Sequence, residues 1–224
     1  MRCGFARAAL VGALLVLPGG LAGQSDMAFP PDVYGRRRAE LLAKLGDATV
    51  VIAGSYGIGV DQLARQDPDF WYLTGVESPY AILVITGGST GPRSLLFLPD
   101  TLQFAGGQFP MDEPAFRRAA WNRPRRRLAP GAGAVTATGV QEAYSLAEFA
   151  RRFRALVPRE GRVVVPAGDS LYAPPGLPAP GDFRRQFRES LRTLIPDARF
   201  EDLSPAVERM RLIKDAHEIA ALRR

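Results

Sequence analysis

The 224-residue chain has one cysteine, Cys3, and one histidine, His217. Thiolates and imidazoles are the donors that hold zinc and the softer transition metals, and a protein site needs three or four donors. A centre built on those ligands is therefore excluded, and only an all-carboxylate site stays open. His217-Glu218 begins an HExxH pattern, but the fifth position is Ala221, so the second imidazole is absent. The acidic candidates Asp61, Asp67, Asp69, Asp112 and Glu113 have no recognisable coordination spacing, and turn and cap roles account for them. No G-x-S-x-G elbow or Walker loop is present, and the glycines of Gly54–Gly59 do not fit G-x-G-x-x-G. The residues alone thus offer no catalytic and no metal-binding set.

Lysine is also scarce. Lys44 and Lys214 are the only two, so arginine carries nearly all of the positive charge in a formal net charge of +6. Such an excess can mark a nucleic-acid or anionic-membrane partner. Here the arginines are spread among acids along the chain, which reads as a compositional bias. The densest run, Arg123–Arg127, is the one place where a nucleic-acid partner has support, and none is expected.

Long hydrophobic runs are missing too. The most apolar stretch, Ala8–Leu17, is about half the length of roughly 20 residues needed to span a bilayer. Arg2 and Arg7 precede it, Pro18-Gly19-Gly20 ends it, and small residues flank a cut near Ala22–Gln24. This is the layout of a secretory signal, here residues 1–23. The expectation is export to the periplasm or the extracellular space, with no membrane span left after cleavage. The mature chain then has no cysteine and forms no disulfide. Losing Arg2 and Arg7, with no acid in residues 1–23, takes the net charge from +6 to +4.

What remains has the balance of a globular domain, with 46% hydrophobic and 23% charged residues. A helix is expected from a cap at Asp32 to Leu45, with Tyr34, Leu41, Leu42 and Leu45 on one stripe and Gly46 as the stop. Thr49–Ala53, Phe70–Thr74, Ala81–Thr86, Leu95–Leu98 and Arg162–Pro166 read as strands. Strands apolar on both faces need helices on both faces, which gives an α/β class. Residues 101–139 read as irregular, and Leu171–Gly181 as a surface loop. Ser145 and Glu148 form a capping box for a helix with Leu146, Phe149, Phe153 and Leu156 inward. Asp182 caps another, with Phe183, Phe187, Leu191 and Leu194 inward. Ser204 and Pro205 begin a last helix, whose stripe Val207, Met210, Ile213, Ala216 and Ala220 runs on towards Arg224 without a stop signal.

Two stretches resemble a known family. Arg65–Gly75, RQDPDFWYLTG, leads into ESPYAILVI, and Met210–Arg224 reads MRLIKDAHEIAALRR. The first resembles the N-terminal domain of aminopeptidase P and prolidase, in the creatinase/prolidase superfamily. The second is similar to the helix that opens the family's pita-bread catalytic domain. The resemblance covers residues from about 30 to 224. It implies a mixed β-sheet flanked by helices, with residues 24–203 as the N-terminal domain and 204–224 as the first helix of a catalytic domain that goes no further in this sequence. It implies a parent enzyme that removes the residue before proline from peptides with two manganese ions, held by ligands absent from this chain. The chain itself is then expected to be inactive, to bind no metal and to form homo-oligomers. Trp121 is the candidate for a substrate-pocket wall, although Trp121-Asn122-Arg123 departs from the family's tryptophan–glycine–arginine pattern. A Xaa-Pro dipeptidase fragment, or a stand-alone binding or oligomerisation module of the same fold, is the alternative.

Overall fold

The chain is seen in a computed structural model that describes residues 28–54, 66–78, 80–88, 91–99, 128–167 and 183–223. Its centre is the run Thr49–Ala53 (β1), whose β-branched residues suit a strand covered on both faces. β1 pairs antiparallel with Ile82–Gly88 (β2), which pairs antiparallel with Gly91–Leu98 (β3). Parallel partners complete both sides: Glu142–Ser145 (β4) beside β3, then Arg162–Val165 (β5) beside β1 and Arg199–Asp202 (β6) beside β5. The result is a mixed six-stranded sheet in the order β4-β3-β2-β1-β5-β6.

Alternation along the strands divides the core in two. Val50, Ile52, Leu83, Ile85, Leu96 and Leu98 face one layer of helices. That layer is Pro31–Leu45 (α1), Pro68–Thr74 (α2), Ala132–Thr138 (α3) and Ser204–Leu212 (α6). Val51, Val84, Leu95, Phe97, Val163 and Val165 face the other side, covered by Phe149–Leu156 (α4) and Phe183–Leu194 (α5). A last short helix, Ala216–Leu222 (α7), follows α6. Among the described residues, no helix is long and apolar enough to cross a membrane.

Several local expectations are corrected. Phe70–Thr74 is helix, not strand: Asp67 accepts hydrogen bonds from the Asp69 and Phe70 amides, and Pro68 occupies the first turn, where its missing N–H costs nothing. Asp32 does not cap α1. It lies inside the first turn and pairs with Arg36 one turn on. Ser145 caps a single 3-10 turn, Leu146–Glu148, while Glu148 accepts from Arg151 and Arg152. The helix α3 falls within residues expected to be irregular. Ser204 is no cap either; its amide and hydroxyl both donate to Asp202 Oδ1.

The largest correction concerns the last helix. Val207 and Met210 are buried, but Ile213 is extended (φ −95°, ψ 112°) and 82% exposed. The stripe continues in sequence while the helix does not. A new helix starts because Asp215 and Glu218 form their own capping box. Leu171–Gly181 and Asp182 lie outside the described residues.

Candidate functional site

The residues of the QDPDFWYLTG stretch build a connected unit. Gln66 Nε2 donates to the carbonyls of Val76 and Ser78 at 3.2 and 3.0 Å, and its Oε1 accepts from the Asp67 amide. A side chain at Gly54 would place its Cβ 2.9 Å from Gln66 Oε1, so any larger residue where β1 ends would have to push the Gln66 amide from its place. Thr74 closes α2 by donating to the Phe70 carbonyl, and Gly75 takes the left-handed conformation (φ 68°, ψ 4°) that ends it. Phe70 and Leu73 enter the core, and Tyr72 donates to the Met210 carbonyl of α6 at 3.3 Å. Burial pushes the Tyr72 hydroxyl pKa up.

From this unit two ionic junctions reach the C-terminal helices. In the first, Asp67 Oδ1 caps α2 while Oδ2 accepts from Arg184 of α5 at 2.5 Å. Asp69, whose side chain is 6% exposed, accepts from Arg184 at 3.0 Å and from Arg211 of α6 at 2.7 Å. In the second, Arg37 of α1 donates to the Tyr72 carbonyl, to Asp215 at 2.6 Å, and approaches Glu218 at 3.3 Å. Its guanidinium lies 4.1 Å from the Tyr72 ring centroid and 5.0 Å from that of Phe29. Burial works to raise the Asp215 pKa, but the amide bonds of its capping box and the Arg37 charge outweigh it and hold the carboxyl below its ordinary value.

These junctions give structural work to residues the sequence offered as candidate ligands. Asp67 and Asp69 are occupied by amides and guanidinium groups. His217 is exposed on α7, with its ring edge-on to Phe29 at 6.2 Å. Among the described residues, no group of three or more His, Cys, Asp or Glu is placed to hold a metal ion. A shallow cleft beyond the carboxyl ends of β1 and β5, lined by Ala53, Val165, Pro166, Phe183, Arg184 and Phe187, has room for about one water molecule. Trp121, Arg123–Arg127, Asp61, Asp112, Glu113 and the glycines of Gly54–Gly59 that follow Gly54 lie outside the described residues. The arginines Arg37, Arg184 and Arg211 were not legible as site residues, because each meets partners 115 to 178 positions away.

What the arrangement can do is hold two C-terminal helices at defined places on a sheet domain. Known proteins share that architecture. The aminopeptidase P N-terminal domain profile matches residues 34–165, more than half of the chain. The Xaa-Pro aminopeptidase of Escherichia coli strain K12 is 28% identical over 202 residues, which is 85% of this chain and 41% of that protein. The proline aminopeptidase P II of Yersinia pestis superposes with a TM-score of 0.59 at 26% identity, over 87% of this chain and 42% of that one. Aminopeptidase P from Escherichia coli with the inhibitor Pro-Leu gives a TM-score of 0.60 at 24% identity, again over 87% and 42%. The chain thus spans about two fifths of the length of these relatives. Profile, relative and fold agree, and the chain belongs to the aminopeptidase P N-terminal domain family.

Proposed function

We propose that this chain serves as the N-terminal, non-catalytic part of an exported Xaa-Pro aminopeptidase. Residues 1–23 act as the signal peptide, 24–203 as the domain, and 204–224 as the lead into a catalytic domain. The observation that carries this is the family match across residues 34–165 together with a relative that is itself a Xaa-Pro aminopeptidase. Two manganese ions would belong to the catalytic part. The donors described here do not fit them, since Asp67 and Asp69 already face guanidinium groups, and no reaction step is assigned to this chain. Its contribution is scaffolding: it builds contacts between subunits and walls the entrance by which proline-containing peptides arrive, with Trp121 on that wall.

The size of the native product separates this reading from a stand-alone module. An antibody raised to residues 28–54, used on periplasmic and secreted fractions, should detect a polypeptide about twice as long as 224 residues, in keeping with the relatives. Its N-terminus should start near Gln24. A native product of 224 residues or fewer would favour the stand-alone binding or oligomerisation module. An intact Met1 in the cytoplasm would remove export from the proposal. If the longer product releases only dipeptide substrates' proline, the Xaa-Pro dipeptidase alternative holds instead.

A further inference from the structure

Helix α7 lies on the domain with little to hold it by packing. None of its seven residues is buried, and Ile219 and Leu222 are 39% and 75% exposed. A free helix needs roughly 12–15 residues to be even marginally stable in water. The order of α7 must therefore come from its contacts, and the strongest are at its N-terminus. Asp215 Oδ1 accepts the Glu218 amide at 2.8 Å, and Glu218 Oε2 accepts the Asp215 amide at 3.1 Å. The same two carboxylates reach Arg37 through Asp215 Oδ2 and Glu218 Oε2. Arg37 is itself fixed, with a side chain 5% exposed and stacked on Tyr72.

We infer that Asp215, Glu218 and Arg37 form a latch, in which the capping box that starts α7 is also the contact that docks it. Forming the helix and seating it against Arg37 of α1 are then one event. Neighbouring α6 is held differently, by Val207 and Met210 in the core. The extended residue Ile213 between the two helices gives a pivot. Opening the latch frees α7 while α6 and the sheet stay in place, so the orientation of α7 is set by an ionic contact that can be switched.

The test separates capping from latching in the full chain. Serine is a good N-cap and glutamine completes a capping box, so Asp215→Ser with Glu218→Gln keeps the box and removes both charges facing Arg37. By NMR and amide exchange, residues 219–222 should lose helical chemical shifts and protection by about tenfold or more, the size expected for a lost charge-assisted hydrogen bond. Amides of β2 and α6 should stay unchanged. Arg37→Met should give the same loss in α7, with β2 protection reporting that the domain is folded. Wild-type shifts and protection for α7 in the Ser/Gln variant would overturn the latch. Loss of protection throughout β2 in that variant would overturn it as well, because the contact would then support the whole domain.

Discussion

Arg38 and Arg37 are adjacent on α1 and both nearly inaccessible, at 1% and 4% exposure, yet their surroundings differ. Arg38 donates to Ser94 Oγ, to the Leu73 carbonyl at 2.8 Å and to the Thr138 carbonyl at 3.0 Å. Leu73 and Thr138 lie in the last turns of α2 and α3, where free carbonyls carry the negative end of the helix dipole. Among the described residues, no carboxylate takes part. Burial lowers the Arg38 pKa to about 10, which still leaves it charged at neutral pH. Arg37 instead meets two carboxylates on a helix with no buried residue. One arginine joins elements that hydrophobic packing already fixes, and the other holds an element that packing leaves free. Burial of a charge therefore says little about its role until its partners are known.

The comparison is most exposed to failure at Arg38. Arg38→Met should cost about 3–5 kcal/mol, because three buried oxygen acceptors lose a shared donor. Denaturant unfolding should show this as a lower midpoint with an unchanged slope. A loss well under about 1 kcal/mol would mean that the helix ends need no cation.

The Asp69 junction should be next in size. Asp69→Asn leaves Arg184 and Arg211 without their shared carboxylate, and Arg211 is 38% exposed, so solvent offsets part of the loss. About 2 kcal/mol is expected by the same unfolding measurement. Asp67→Ser should cost less, since serine keeps the cap of α2 and gives up only the Arg184 pair.

The Arg37 side can be sharpened with pH. Asp215 faces Arg37 on α1, Tyr72 on α2, and His217 and Glu218 on its own helix. Its folded pKa is below the ordinary 3.8, so the contact stabilises above pH 3.8 and fades as pH falls through the folded value. Helical shifts in α7 should thus be lost at a midpoint below pH 3.8, and β2 shifts should persist through that midpoint. Loss of both together would erase the contrast between the two arginines.

A contrast in packing distinguishes α6 from the linker after it. Val207→Ala should cost about 2 kcal/mol, while Ile213→Ser should stay within about 0.5 kcal/mol. A continuous amphipathic helix would make both costly. The sequence period did run through Val207, Met210, Ile213 and Ala216, and it misled because periodicity does not register a capping box that starts a second helix. Phe70–Thr74 misled for a related reason: aromatic and β-branched residues favour strand, but the preceding Asp67-Pro68 fixes a helix start. The central strands β1 and β5 were legible because burial on both faces leaves them continuously apolar. β4 and β6, EAYS and RFED, are short and largely polar outer strands, so no apolar run announced them. The ionic junctions were invisible because their partners meet only when α2, α5, α6 and α7 converge on one region.

The proposal that this domain is the non-catalytic part of a Xaa-Pro aminopeptidase is tested most directly by metal binding and turnover in one sample. Purified chain, free of host peptidases, is titrated with Mn²⁺ by calorimetry and assayed on a Xaa-Pro peptide with and without chelator. No stoichiometric Mn²⁺ binding and no chelator-sensitive hydrolysis are expected of a non-catalytic domain. Stoichiometric binding accompanied by turnover that a chelator abolishes would contradict it.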